Sequence, residues 1–211
     1  MRGCWGACND GWPTVTSERQ AERRRTTRET DVLVRLRLEG GYPTAITTGV
    51  GFLDHMLTSL SAHSAFALEI NAKGDLHVDS HHTVEDVGLV LGEAFSQALG
   101  DRSDIERFGH AVVPMDESLA MAAVDCSGRG YGLVEIGFVG PSVGGIPTSL
   151  LTHFFEVFAR SGGLTLHLSA HGEDDHHLAE ASFKALGRAL RQAARRDPGH
   201  ALGVPSTKGV L

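Results

Sequence analysis

The chain is short of cysteine, of positive charge and of long apolar runs. Three Cys occur in 211 residues: Cys4 and Cys8 near the start and Cys126 alone, so no disulfide framework is indicated. Lys plus Arg number 19 against 26 Asp plus Glu, a net charge of −7, which argues against a basic nucleic-acid surface. No apolar run approaches the roughly 20 residues that a membrane span needs. Neither nucleic acid nor membrane is therefore expected as a partner. With 41% hydrophobic and 21% charged residues the chain should bury a core. Its length suits one ordinary domain or two very small ones. What it has in excess is histidine, at 12 residues.

Residues 1–17 hold both Trp residues and show no periodicity. Without an apolar stretch after Arg2 they read as a flexible extension rather than a signal peptide. A single domain over 18–211 follows, opening on the strongly charged stretch 18–29. Val32, Val34, Leu36 and Leu38 alternate with polar residues and predict a half-buried strand over 31–38. Gly40-Gly41 reads as a hairpin turn into a strand over 44–48. Leu53, Met56, Leu57 and Leu60 predict a helix over about 52–63. Strands are expected at 65–70 and 76–79, then a helix marked by Val84, Val87, Leu91 and Ala94 and ending near Leu99. The same order recurs. A strand over 118–125 leads through Gly128-Arg129-Gly130, read as a hairpin tip, to a strand over 131–138. Leu150, Leu151, Phe154, Val157 and Phe158 mark a helix, followed by a strand over 164–168 and a helix over 178–194.

The recurrence extends to individual residues. Residues 55–70 lie ungapped on 153–168, and 81–99 on 176–194, where 8 of 19 positions are identical. Glu29-Thr30 falls opposite Glu117-Ser118. Self-similarity with a period of about 95 residues means a duplicated unit. The halves run over about 29–109 and 110–203, each a small α+β unit with a sheet and two helices, and a C-terminal tail follows.

The repeat carries His-His-x-x-Glu twice, as His81, His82 and Glu85 and as His176, His177 and Glu180, each at the start of a long helix. Residues three or four apart share a helix face, so His81 or His82 can converge with Glu85. Each half adds one His at the start of its other helix, His55 and His153. Imidazole with carboxylate suits borderline divalent metals. Six His and two Glu would give four ligands to each of two metals, leaving open positions for catalysis. With no Cys in the set, a structural thiolate zinc site is disfavoured. A single His-His pair is commonly a solvated helix start. Two copies in register, each with a matching third His, point to metal. The remaining six histidines have no counterpart in the repeat.

Anion-binding candidates are fewer. The tail Gly203-Val204-Pro205-Ser206-Thr207-Lys208-Gly209 could cradle a phosphate, although it is no Walker motif. Arg107 and Arg129 could clamp phosphate, and Lys184 could pair with Glu180 or contact substrate.

Taken in order, several motifs resemble the imidazoleglycerol-phosphate dehydratase family. They are Arg28-Glu29-Thr30, Gly49-Val50-Gly51-Phe52-Leu53-Asp54-His55-Met56, His81-His82-Thr83-Val84-Glu85-Asp86, Pro114-Met115-Asp116-Glu117, Ser127-Gly128-Arg129, His153-Phe154-Phe155-Glu156, Asp175-His176-His177 and Pro205-Ser206-Thr207-Lys208-Gly209. The stretch 137–147, rich in Gly and Pro, looks atypical for that family. The resemblance implies a duplicated fold of the ribosomal S5 domain 2-like type and a cytoplasmic homo-oligomer, a 24-mer with interfacial active sites. It implies two manganese ions held by the eight His and Glu residues. It implies a hydro-lyase of L-histidine biosynthesis that converts D-erythro-imidazole glycerol phosphate to imidazole acetol phosphate through a di-metal-bound imidazolate. Glu29 would be the acid/base, Arg107, Arg129, Ser206, Thr207 and Lys208 would bind the phosphorylated substrate, and Lys184 would lie near it. Two other readings of the same ligands are a di-metal phosphatase and a metal-binding assembly without activity.

Overall fold

The computed structural model describes residues 19–40 and 44–197. The N-terminal extension and the tail carrying Ser206, Thr207 and Lys208 lie outside the described residues. Strands β1 (Gln20–Thr26), β2 (Thr30–Arg37), β3 (Thr44–Thr47) and β4 (Ala67–Gly74) belong to the first half, with helices α1 (Gly51–Ser64) and α2 (His81–Leu99). The second half has β5 (Phe108–Met115), β6 (Ser118–Asp125), β7 (Tyr131–Ile136) and the short β8 (Ser142–Val143) and β9 (Ile146–Pro147). Helix α3 (Thr148–Gly162), β10 (Thr165–His171) and α4 (Asp175–Ala193) complete it. The sheets have the orders β1-β2-β4-β3 and β5-β6-β10-β7, one topology used twice. The fold is α+β and internally duplicated, as the repeat predicted.

Neither expected hairpin forms. β4 lies between β2 and β3, and β10 lies between β6 and β7. β3 runs parallel to β4 and β7 parallel to β10. Parallel neighbours need a crossover, and α1 and α3 supply it. The short connections from β2 to β3 and from β6 to β7 therefore join strands that are not sheet neighbours, a distinction that local turn chemistry does not carry. Residues 76–79 are also not a strand. The Val78 N–H bonds back to the Asp75 carbonyl at 2.7 Å, and Val78 is 62% exposed. β1 and β5 were not foreseen from the pattern. The atypical stretch 137–147 forms the small β8–β9 hairpin, anchored where the Val139 and Gly140 N–H groups donate to Asp175 at 2.7 Å.

Each sheet turns one face to the helices; Val32, Val34, Ala120 and Ala122 are fully buried there. The helices pair across the halves, α2 against α3 and α1 against α4. Two glycines at the same repeat position permit this. A Cβ on Gly92 of α2 would sit 2.6 Å from the Phe158 carbonyl of α3, and one on Gly187 of α4 would sit 2.8 Å from the Leu60 carbonyl of α1. No real Cβ approaches that closely, so only glycine brings these backbones together. Large rings fill the remaining core, including Phe155 on Phe183 with centroids 4.6 Å apart.

Candidate metal centre

Helices α2 and α4 begin at the two His-His pairs. One aspartate precedes each pair at the same repeat position. Asp79 accepts the His81 N–H at 2.7 Å, and Asp174 accepts the His176 and His177 N–H groups at 2.7 and 3.2 Å. A carboxylate satisfies the free donors of the first turn and meets the positive end of the helix dipole. The histidines are thus fixed to helix ends by local chemistry.

Cross-half packing then assembles two trios. His55 of α1 meets His176 and Glu180 of α4, with one ligand atom from each all within 4.8 Å. Both imidazole Nε2 atoms approach Glu180 Oε2, at 3.4 and 3.3 Å. His153 of α3 correspondingly meets His81 and Glu85 of α2. Its Nε2 is 3.2 Å from Glu85 Oε1, His81 Nε2 is 3.5 Å from Glu85 Oε2, and the two rings stack at 6.3 Å. This donor set fits a divalent ion: nitrogen and carboxylate ligands, two to one, without thiolate. Burial alone would raise the Glu180 carboxyl, but Lys184 at 3.0 Å and His55 outweigh it, and the pKa lies below the ordinary value. The anionic form is the one a metal needs.

His82 and His177 point elsewhere. Adjacent residues on a helix face about 100° apart, and His82 leaves Glu85 to His81. Its Nδ1 is 3.1 and 3.2 Å from the two Asp75 oxygens, and its Nε2 is 3.8 Å from Glu29. His177 Nδ1 is 2.9 Å from Glu117, and its Nε2 is 3.8 Å from Asp116. The hydrogen bonds to Asp75 and Glu117 raise the pKa of each ring. Bonds from His177 and Ser118 hold the Glu117 carboxyl at about 2. In each ring one nitrogen is tethered, leaving Nε2 as the atom able to take a ligand. Asp75 carries no sequence signal, and Glu117 stands out there as the counterpart of Glu29 and within the motif Pro114-Met115-Asp116-Glu117, without a role.

Glu29 lies next to His82 with a side chain 55% exposed. Arg107 and Arg129 come together on Asp125. Arg107 makes a two-pronged bond at 2.7 and 3.1 Å, while the exposed Arg129 approaches to 3.6 Å. Arg129 rides the connection from β6 to β7, not a hairpin tip. Lys184 is the i,i+4 ion-pair partner of Glu180 and touches Met115 sulfur at 3.7 Å.

The family model for imidazoleglycerol-phosphate dehydratase matches residues 48–190. The chain belongs to this family. It is 54% identical over 193 residues to the imidazoleglycerol-phosphate dehydratase of Methanocella arvoryzae, covering 92% of this chain and all of that one. The enzyme of Gluconacetobacter diazotrophicus is 52% identical over 198 residues, covering 93% of this chain and all of that one. Among solved structures, the dehydratase of Pyrococcus furiosus in complex with (S)-C348 superposes with a TM-score of 0.77 at 39% identity, covering 90% of this chain and all of that one. That of Staphylococcus aureus gives 0.76 at 36% identity, covering 84% and 99%. As a member of the imidazoleglycerol-phosphate dehydratase family the chain is a carbon–oxygen lyase, a hydro-lyase. The stretch matched by the family model contains both trios, both tethered histidines, Arg107, Arg129 and Lys184; Glu29 precedes it.

Proposed function

We propose that the chain dehydrates D-erythro-imidazole glycerol phosphate to imidazole acetol phosphate in L-histidine biosynthesis. The observation that carries the reading is the doubled trio, each with a tethered histidine beside it. His55, His176 and Glu180 would hold one manganese ion, and His81, Glu85 and His153 the other. His82 and His177 present Nε2 away from their own trios, which supports ligation across copies in a 24-mer with interfacial sites. Asp75 and Glu117 would fix ring and tautomer of these two ligands. Bound there, the two ions would supply the acidity that lets the substrate's imidazole ring give up its N–H proton.

The remaining work falls to side chains. Loss of water needs a proton taken from carbon and one delivered to the departing hydroxyl. Glu29, with an exposed carboxylate beside His82, is the group we assign to that transfer. Arg107 and Arg129 would hold the phosphate, sharing charge with Asp125, and Ser206, Thr207 and Lys208, outside the described residues, would bind it with them. Lys184 would face the substrate from beside Glu180. The setting proposed is the cytoplasm.

The test is turnover of imidazole glycerol phosphate by the Mn(II)-loaded protein, following imidazole acetol phosphate and free phosphate separately. Dehydration without phosphate release is expected. Glu29→Gln should lower turnover by about 10²–10⁴-fold while bound manganese stays unchanged. Release of free phosphate would favour a di-metal phosphatase, and no reaction in an assembled, metallated protein would overturn the assignment.

A further inference from the structure

The C-terminal half of α4 borders a cationic cleft that the proposed reaction does not use. His63 of α1, His110 of β5, Arg188, Arg191 and Gln192 of α4 and Arg195 just beyond it line it, around a volume of about 440 Å³. Neither Arg107 nor Arg129 is among them. Arg195 is engaged with Glu106 at 2.6 Å. Arg188 and Arg191 make no hydrogen bond or ion pair among the described residues. Most other arginines do, including Arg19, Arg24, Arg25, Arg35 and Arg107. Gln192 Oε1 is occupied by the His110 N–H at 3.0 Å, which leaves its amide hydrogens as donors. Burial, followed by the charges of Lys184 and Arg188, lowers the His63 pKa, so the positive field of α4 reaches the cleft wall.

The duplication supplies an internal control. The repeat-equivalent positions hold Ser161 for His63, Glu22 for His110 and Glu93, Ser96, Gln97 and Gly100 for the four residues 188, 191, 192 and 195, none of them basic. The fold therefore does not require these cations. Two unpaired guanidinium groups three residues apart share a helix face. Their planar forks match phosphate oxygens in pairs. From Arg188 to Gln192 the helix rises about 6 Å, Arg195 stands beyond its end, and the cleft's volume of about 440 Å³ leaves room for more than one phosphate. We propose that this cleft is a second anion site, for a small molecule with two phosphate groups, distinct from the substrate-phosphate position.

The assembled, metal-loaded protein should be titrated calorimetrically with fructose 1,6-bisphosphate, and with inorganic phosphate as comparator. Saturable binding of the bisphosphate is expected, at least tenfold tighter than phosphate and weakened by salt. The double variant Arg188→Ala/Arg191→Ala should lose at least tenfold of it with particle size unchanged, whereas Arg129→Ala should retain it. Three results would overturn the proposal. They are unaltered affinity in the double variant, no saturable binding to the parent protein, and a particle that falls apart when the two arginines are removed, which would make the cleft a contact between copies.

Discussion

Glu29 and Glu117 occupy the same place in the duplicated unit, immediately before β2 and β6. Glu117 is held on three sides: by the His177 ring at 2.9 Å, the Ser118 hydroxyl at 2.7 Å and the Asp174 N–H at 3.0 Å. The Glu29 carboxylate makes no hydrogen bond among the described residues and stands 3.8 Å from His82. In the first half Asp75 tethers the histidine instead. Each half must anchor one imidazole, but the geometry tolerates more than one anchor. Where a different acid does that task, the equivalent glutamate keeps a carboxylate without a hydrogen bond among the described residues. Both trios join two imidazoles to one glutamate, with both rings on one oxygen of Glu180 but on different oxygens of Glu85, and their margins diverge further. Lys184 beside Glu180 corresponds to Leu89, and Glu156, 3.7 Å from His153, corresponds to Thr58.

The sharpest way to break this comparison is to remove each anchor. Glu117→Gln and Asp75→Asn should each weaken manganese binding by about 10–100-fold, measured by titration with electron paramagnetic resonance of free Mn(II). Glu29→Gln should leave that affinity alone; equal losses in all three would end the proposed division of labour. A smaller effect tests how closely the halves approach. Gly92→Ala and Gly187→Ala should each cost about 1–3 kcal/mol in denaturant unfolding. Gly92 should suffer more, since its added methyl runs into Ser161 Oγ and meets a carbonyl at 2.6 Å, against 2.8 Å at Gly187. The smallest effect concerns Asp31, whose counterpart is Leu119. Hydrogen bonds from Arg24 and Thr26 lower its pKa from 3.8 to about 2. A lowered folded-state pKa stabilises above 3.8, and the contribution is lost as pH falls toward 2. Asp31→Asn should flatten that part of the acid unfolding curve.

Helices and inner strands were legible because their burial is periodic. The predicted strand at 118–125 coincides with β6, and all four helices lie within a few residues of expectation. β1 was not legible, since only Ala21 of its seven residues is buried and no alternation results. β5 hides its period differently. Phe108 and Val112 on its outer face are exposed yet as apolar as the buried Ala111 and Val113. Leu76 and Val78 misled in the reverse sense, alternating within a turn. Strand order was out of reach because insertion of β4 and β10 is decided by crossovers, not by the glycines that precede them. For the site, the ligand candidates could be read from the repeat. The partition of each His-His pair could not, because spacing alone allows either ring to meet the glutamate.

The exchange of helix partners between halves has a consequence for origin. A lone half would leave one face of each helix bare. Two identical copies would cover each other through the same contacts about a two-fold axis, as an isologous pair. Joining them end to end replaces an encounter between molecules with an encounter within one, so assembly no longer depends on concentration. It also lifts a restriction. In a symmetric pair every substitution appears twice, and a glutamate cannot be both anchor and free acid. A single chain can specialise one copy while the other keeps the scaffold intact.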